Sequence, residues 1–384
     1  MKRGLTDIID VKRGTTQISK IMRGAVLIWE KVVESASLPL IFTIDTNLGT
    51  GASMEIPTID SGYDYSVKWG DGATTSGHTA NASHTYATHG TYTLEITGLF
   101  PRFNFKDSLK ITAIAQWGDI NYSTIQDWSF FQAVNLNSLA DDVGSIDNMT
   151  TAYRMFYRSN LTTLPSTMTL NSLNIGSYMF YQTPLSSIPS GMTLNSLTNG
   201  ADMFFQTQVS SLPSGMTLAN LIIGTNMFIS SNLNSLPSGM LLSNLTNGSG
   251  MFKYTNLTSI PSGMTLDALE NGSSMFYGLV LTSLPSGMTL NNLSSGNRMF
   301  YGAGFTSLPS GITLPNLTDG TYMFLAVTLN TTRYSQLLID MESGNVNDNV
   351  IFHGGNSKYN AAGETARNAL VARGWAITDG GLEV

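Results

Sequence analysis

The apolar positions of residues 151–330 recur with a period of 24. The dipeptide Met-Phe stands at Met155, Met179, Met203, Met227, Met251, Met275, Met299 and Met323, and a proline repeats from Pro165 to Pro309 with the same step. One unit reads Met-Phe-Tyr-x-x-x-Leu-x-Ser-Leu-Pro-Ser-Gly-Met-Thr-Leu-x-x-Leu-x-x-Gly-x-x. Such a unit cannot bury its apolar side alone, so neighbouring units must bury one another. The spacing predicts eight stacked coils. Leu161, Leu185, Val209, Leu233, Leu257, Leu281, Phe305 and Leu329 form one inner column, and the row from Leu164 to Leu308 forms a second. Leu-x-x-Leu is expected to be a short strand that bends inward, stopped by a proline that cannot donate to a ladder. Thr-Leu-x-x-Leu, as in Leu194 and Leu197, makes the return side, and Gly-x-x-Met-Phe the corner into the next coil. At a strand spacing of about 4.8 Å, eight coils give a rod of roughly 38 Å.

The flanks have other textures. Tyr65 to Trp69 alternates, Gly70-Asp71-Gly72 is a tight turn, and Thr91 to Thr97 alternates again, which predicts a small β-sandwich over residues 35–99. Residues 100–150 are read as a linker followed by a degenerate capping repeat, with Phe130-Phe131 and Leu136-x-x-Leu139 slightly out of register. Residues 331–384 are expected to close the far end as a small α/β cap. Tyr334 to Met341 is one helical pattern. Asn360 to Arg373 is another, with Ala362, Ala366, Ala369 and Leu370 on one stripe, Asn360 as its cap and Gly374 as its stop. Trp375 to Ile377 reads as a strand. Residues 1–34 hold two strand-like runs, Val11 to Ser19 and Ile21 to Trp29, each with an Arg-Gly turn, and carry seven basic residues against four acidic ones. The fold class is therefore mainly β: a sandwich, a solenoid and a cap.

Composition narrows the function. Only 12% of the 384 residues are charged, and the net charge is −7, the wrong sign for a nucleic-acid binder. Cysteine is absent, which excludes disulfides and thiolate metal sites. The stretch from Ala25 to Trp29 is too short for a signal peptide, and no segment approaches the length of a membrane span. No membrane insertion is therefore expected, and without a signal peptide the chain can stay in the cytoplasm of the producing cell.

The unit Met-Phe-Tyr-x-x-x-Leu-x-Ser-Leu-Pro resembles the BspA-type leucine-rich repeats of bacterial surface proteins and bacteriophage genomes. The set Trp69-Gly70-Asp71-Gly72, His84-Thr85-Tyr86 and Gly90-Thr91-Tyr92 resembles a PKD-type β-sandwich, a spacer and binding module. Gly14 to Ile21 and Arg23 to Trp29 resemble the N-terminal attachment segment of phage fibre proteins. Together these resemblances imply a non-enzymatic virion structural protein, a tail fibre or receptor-binding adhesin. Lys12, Arg13, Lys20, Arg23 and Trp29 would dock it on other virion proteins. A homo-oligomer and a host surface glycan or protein are the implied partners, and no cofactor is expected. A head, neck or tail decoration protein without a receptor role and a bacterial surface adhesin stand as alternatives.

Candidate chemistry is sparse. Of 19 methionines, 14 occupy two repeat positions and read as core columns rather than thioether ligands. His78, His84 and His89 lie close in sequence, but their spacing fits no helix face. Asp60, Asp64 and Asp71 are spaced unlike a calcium loop. Asp267 and Glu270 are the paired carboxylates of the repeat block, and they share a single coil. The residue after Met-Phe forms a mostly aromatic row, with Tyr157, Tyr181, Phe205, Tyr277 and Tyr301. Facing outward, it is a binding stripe for sugar rings or a protein surface; facing inward or half-buried, it is a further core column.

Overall fold

The computed structural model describes residues 11–13, 16–23, 26–34, 38–120, 122–310, 312–344 and 346–384, with side chains from residue 38 onward, Ser145 excepted. The described residues are mainly β, with two α-helices among them. Near the N-terminus, β1 (Val11–Arg13), β2 (Thr16–Arg23) and β3 (Val26–Glu34) form an antiparallel sheet in the order β1-β2-β3. The two expected runs are thus three strands. The first two end at Arg13 and Arg23, the arginines of the two Arg-Gly dipeptides.

A five-stranded sheet follows, in the order β10-β4-β9-β6-β7. Its strands are β4 (Leu40–Asp45), β6 (Asp64–Lys68), β7 (Thr74–His78), β9 (Thr91–Leu99) and β10 (Ile111–Gln116). A separate antiparallel pair joins β5 (Ser53–Ile56) to β8 (Ala82–Thr85). Alternation sets the faces: Leu40, Phe42 and Ile44 are buried and lie opposite Ile96, Leu94 and Tyr92. Met54 and Ile56 of β5 belong to the same core. The boundary expected at residue 99 is corrected here, because β10 pairs with β4. Its buried residues, Ile111 and Ile114, are three apart across a register shift, so simple alternation does not reveal the strand. β10 also joins the next layer: Ala113 makes a parallel bridge to Ser138.

From residue 125 the chain stacks coil upon coil. Parallel bridges link Ile125 to Thr151, Thr151 to Ile175, and so on in steps of one repeat to Asp319. The hydrogen-bonded seam is not where the sequence suggested. Among the described residues, Leu-x-x-Leu forms no named strand. The seam is instead the Gly-x-x-Met-Phe corner. There the N–H groups of Gly176, Tyr178, Phe180 and Gln182 donate to the carbonyls of Asn199, Ala201, Met203 and Phe205 in the next coil. The intervening N–H groups close tight turns within the coil, such as Met179 to Gly176 O and Tyr181 to Tyr178 O. Turn and seam together need left-handed residues at Tyr178 (φ 59°) and Gln182 (φ 53°), and the same two places are left-handed in other coils. A tight turn with no β-period has no strand signature in sequence, so the seam is not visible in the apolar pattern.

The inner columns are dry. Leu233, Leu257 and Leu281 are at most 1% exposed. The second column is only partly so: Leu164, Leu212 and Leu236 are half-buried at the rim. Phenylalanine rings of successive Met-Phe pairs stack at 5.5 to 5.9 Å from Phe156 to Phe324. The column extends backwards through Phe130 and Phe105 to Phe42 of the sheet, and forwards through Phe352 to Trp375. The steps from Phe105 to Phe130 to Phe156 are 25 and 26 residues, so the first layers join the stack out of the 24-residue register.

The far end is β11 (Asp319–Gly320), α1 (Thr331–Ser343), β12 (Ile351–His353), α2 (Ala361–Ala372) and β13 (Ala376–Thr378), with the strands parallel in the order β11-β12-β13. β11 is also the last stacked corner, so the cap continues the stack's own pairing. Asn360 caps α2 by accepting from Ala362 N and Gly363 N, and Gly374 follows the helix at φ 86°. The buried stripe of α2 is Gly363, Ala366 and Leu370. Ala362, expected on it, is exposed, because Gly363 is the residue pressed against Ser335.

Candidate functional site

The aromatic row after Met-Phe is half-buried. Its rings lie face to face: Phe131 on Tyr157 at 4.8 Å, Tyr157 on Tyr181 at 4.7 Å and Tyr181 on Phe205 at 4.5 Å. Tyr277 and Tyr301 repeat this at 4.6 Å, with the Lys253 ammonium 4.7 Å from the Tyr277 centroid. The faces that would stack on a sugar are therefore taken by neighbouring rings, and the row offers edges. Of the five expected stripe residues, the structure brings Tyr157, Tyr181 and Phe205 together as one column and Tyr277 with Tyr301 as another. Ile229 and Lys253 hold the places between.

Two left-handed rows flank this column. The row before Met-Phe contains Trp128, Arg154, Tyr178, Asp202 and Asn226. Arg154 is sandwiched in it, 4.7 Å from the Trp128 ring and 4.9 Å from Tyr178, with Tyr153 at 5.0 Å. Its Nε is buried without a hydrogen-bond partner among the described residues. Beyond Tyr178 lies Asp202, 7% exposed, whose carboxyl is pushed up by burial despite hydrogen bonds from Asn226 and Tyr178 and the charge of Arg154. The row two places after Met-Phe contains a ladder. Arg158 Nε donates to Gln182 Oε1 at 2.7 Å, and Gln182 Nε2 donates to Gln206 Oε1 at 2.5 Å. Arg158, Asn160, Gln182, Pro184, Gln206 and Gln208 border a shallow groove of about 390 Å³. Lys106 adds a third cation at this end, 5.4 Å from Trp128 and 5.6 Å from Phe131.

These flanking residues are not in the expected stripe, yet a signal for them exists. The repeat block has four basic residues, Arg154, Arg158, Lys253 and Arg298, and all stand within two places of Met-Phe. Each lies beside an aromatic ring. None of the four is in an ion pair within 4 Å among the described residues. Reading the sequence for apolar columns passes over positions whose type changes from coil to coil.

The other candidates are dispersed. His84 pairs with Asp71 at 2.6 Å and stacks on Trp69, which ties the Gly70-Asp71-Gly72 turn to β8. The His84 hydrogen bond holds the Asp71 carboxyl below its usual range. His78 meets the Thr75 hydroxyl and His89 the Thr46 carbonyl. Asp60 pairs with Arg102. No group of three metal-ligating side chains forms among the described residues. Asp267 accepts from the Thr289 hydroxyl of the next coil, and Glu270 is exposed. His353 lies in the cap, where burial lowers its pKa, beside a buried network in which Tyr334 and Arg367 both reach Asp379. Lys12 and Arg13 lie on β1, Lys20 and Arg23 on β2, and Trp29 on β3 opposite Ile21; their side chains are outside the described residues.

Compared with known proteins, no family model matches the chain, and no curated protein and no solved structure matches it.

Proposed function

We propose that this chain is a non-enzymatic structural protein of a bacteriophage particle, a tail fibre or receptor-binding adhesin. In this reading residues 38–116 are a PKD-like spacer, residues 151–330 are a leucine-rich-repeat solenoid of eight coils, and residues 331–384 cap it. Residues 1–34 dock on other virion proteins, the assembled form is a homo-oligomer, and the solenoid flank faces the host surface. The observation that carries the reading is the unbroken ring column from Phe42 to Trp375, which gives one continuous dry core. A stiff stack that repeats its outward positions at a fixed step suits display and spacing.

The test is the composition of particles. Mass spectrometry and immunogold labelling of purified virions from the producing cells should find the full chain, and a chain lacking residues 1–34 should fold but not be incorporated. Purified virions without the chain would overturn the reading.

A further inference from the structure

The first coils place stacked guanidinium and amide donors side by side at one corner. A guanidinium packed among rings keeps its N–H donors in a planar fork that matches a carboxylate or phosphate. The Arg154 guanidinium lies between the Trp128 and Tyr178 rings, 4.7 and 4.9 Å from their centroids. Its one nearby acid, Asp202, lies beyond Tyr178 and makes no ion pair with it within 4 Å. Across the Tyr157 ring, 5.3 Å from its centroid, stands the exposed Arg158, which starts the Arg158–Gln182–Gln206 ladder. That ladder points one way, so among the described residues no hydrogen bond uses the amide nitrogen of Gln206, which ends it, or the terminal nitrogens of Arg158. Both border the shallow groove with Asn160 and Gln208. Neutral donors at coil spacing suit hydroxyls, and the guanidinium suits an acid.

We infer that the corner formed by Arg154, Arg158, Gln182 and Gln206 binds an acidic polysaccharide, its carboxylate or phosphate meeting Arg154 and its hydroxyls meeting the amide ladder. The inference rests on the display reading above and names the ligand class of that surface. A nucleic acid is disfavoured: three cations at this end of a chain of net charge −7 make a local anion site, not a track for a continuous polyanion.

The experiment is titration calorimetry of the full chain with polygalacturonate, poly(glycerol phosphate), neutral dextran and a single-stranded oligonucleotide. One or both acidic glycans should bind, which distinguishes carboxylate from phosphate, and binding should weaken as salt rises. Arg154→Gln and Arg158→Gln should each weaken it by about tenfold or more, and Arg154→Lys should not restore it, since the fork is lost. Arg373→Gln in the cap, with a thermal melt on every variant, controls for folding. Equal binding of dextran, tighter binding of the oligonucleotide, no binding of either acidic glycan, or full affinity in folded Arg158→Gln would each overturn the inference. Virion labelling is read separately, so particle membership can hold while this site fails, and the reverse.

Discussion

The repeat glycine before Met-Phe is fixed by contact rather than by backbone freedom. A Cβ on Gly224 would meet Leu221 Cδ2 and Met251 Sδ at 3.1 Å and Leu245 Cδ1 at 3.2 Å, all in or beside the next coil's core. Gly224→Ala should therefore cost about 1–3 kcal/mol through overpacking, and Gly224→Val more, measured by denaturant unfolding. Wild-type stability in the valine variant would refute the packing argument. A hydroxyl row nearby shows the opposite defect. Thr183, Thr207 and Thr255 donate to the phenylalanine carbonyl three residues back, whereas the Ser159 and Ser231 hydroxyls are buried with no partner among the described residues. Asp202 supplies a pH signature. Burial raises its folded pKa above the unfolded value of about 3.9. The stability linked to it is therefore complete below that value and is lost as pH rises through the folded one. Asp202→Asn, which copies Asn226 one coil on, should melt higher than the parent at pH 7, and the gain should shrink towards zero as pH falls to about 4. A gain that is constant across this range would exclude the carboxylate as its source.

At the scale of elements, one side chain adds to the strand pairing that joins the cap to the stack. Arg333 of α1 donates from Nε to Leu308 O at 2.9 Å, reaches Pro309 O with its other arm, and pairs with Asp340 at 3.3 Å. Arg333→Ala leaves two carbonyls and a carboxylate short of a donor, so cap opening should become easier by about 2–4 kcal/mol. Hydrogen exchange should then quicken across α1 and α2 while coils around Phe204 keep their protection. Uniform exchange throughout the chain would contradict a cap held this way. The helices themselves were plain in sequence, because Asn360, Gly374 and the apolar spacing are local signals. The inner leucine column was plain for the same reason, repeated eight times. What escaped was non-local or aperiodic. β10 is recognised only beside β4, the seam runs through turns with left-handed residues, and Arg154 is one variable position whose meaning comes from Trp128 and Tyr178 on either side.

Across the whole molecule, the scarcity of charge has a structural counterpart. Surface amides and hydroxyls tie each coil to the one before it: Asn220, Asn244, Asn292 and Asn316 donate to backbone carbonyls 25 residues back, and Thr198, Thr246 and Thr318 to carbonyls 24 residues back. Lysine or glutamate at those places would leave the carbonyls to water and remove the ties. The stripe expected from sequence was legible as a row of rings but not as a site, since only coordinates show that the faces are spent on one another. The 24-residue step has a further outcome. Internal coils repeat the same apolar columns on their upper and lower surfaces, so an in-frame duplication or loss of one unit rejoins matching core faces. The length of the stack is thus a quantity that can change in whole-coil increments, without any redesign of what sits at either end.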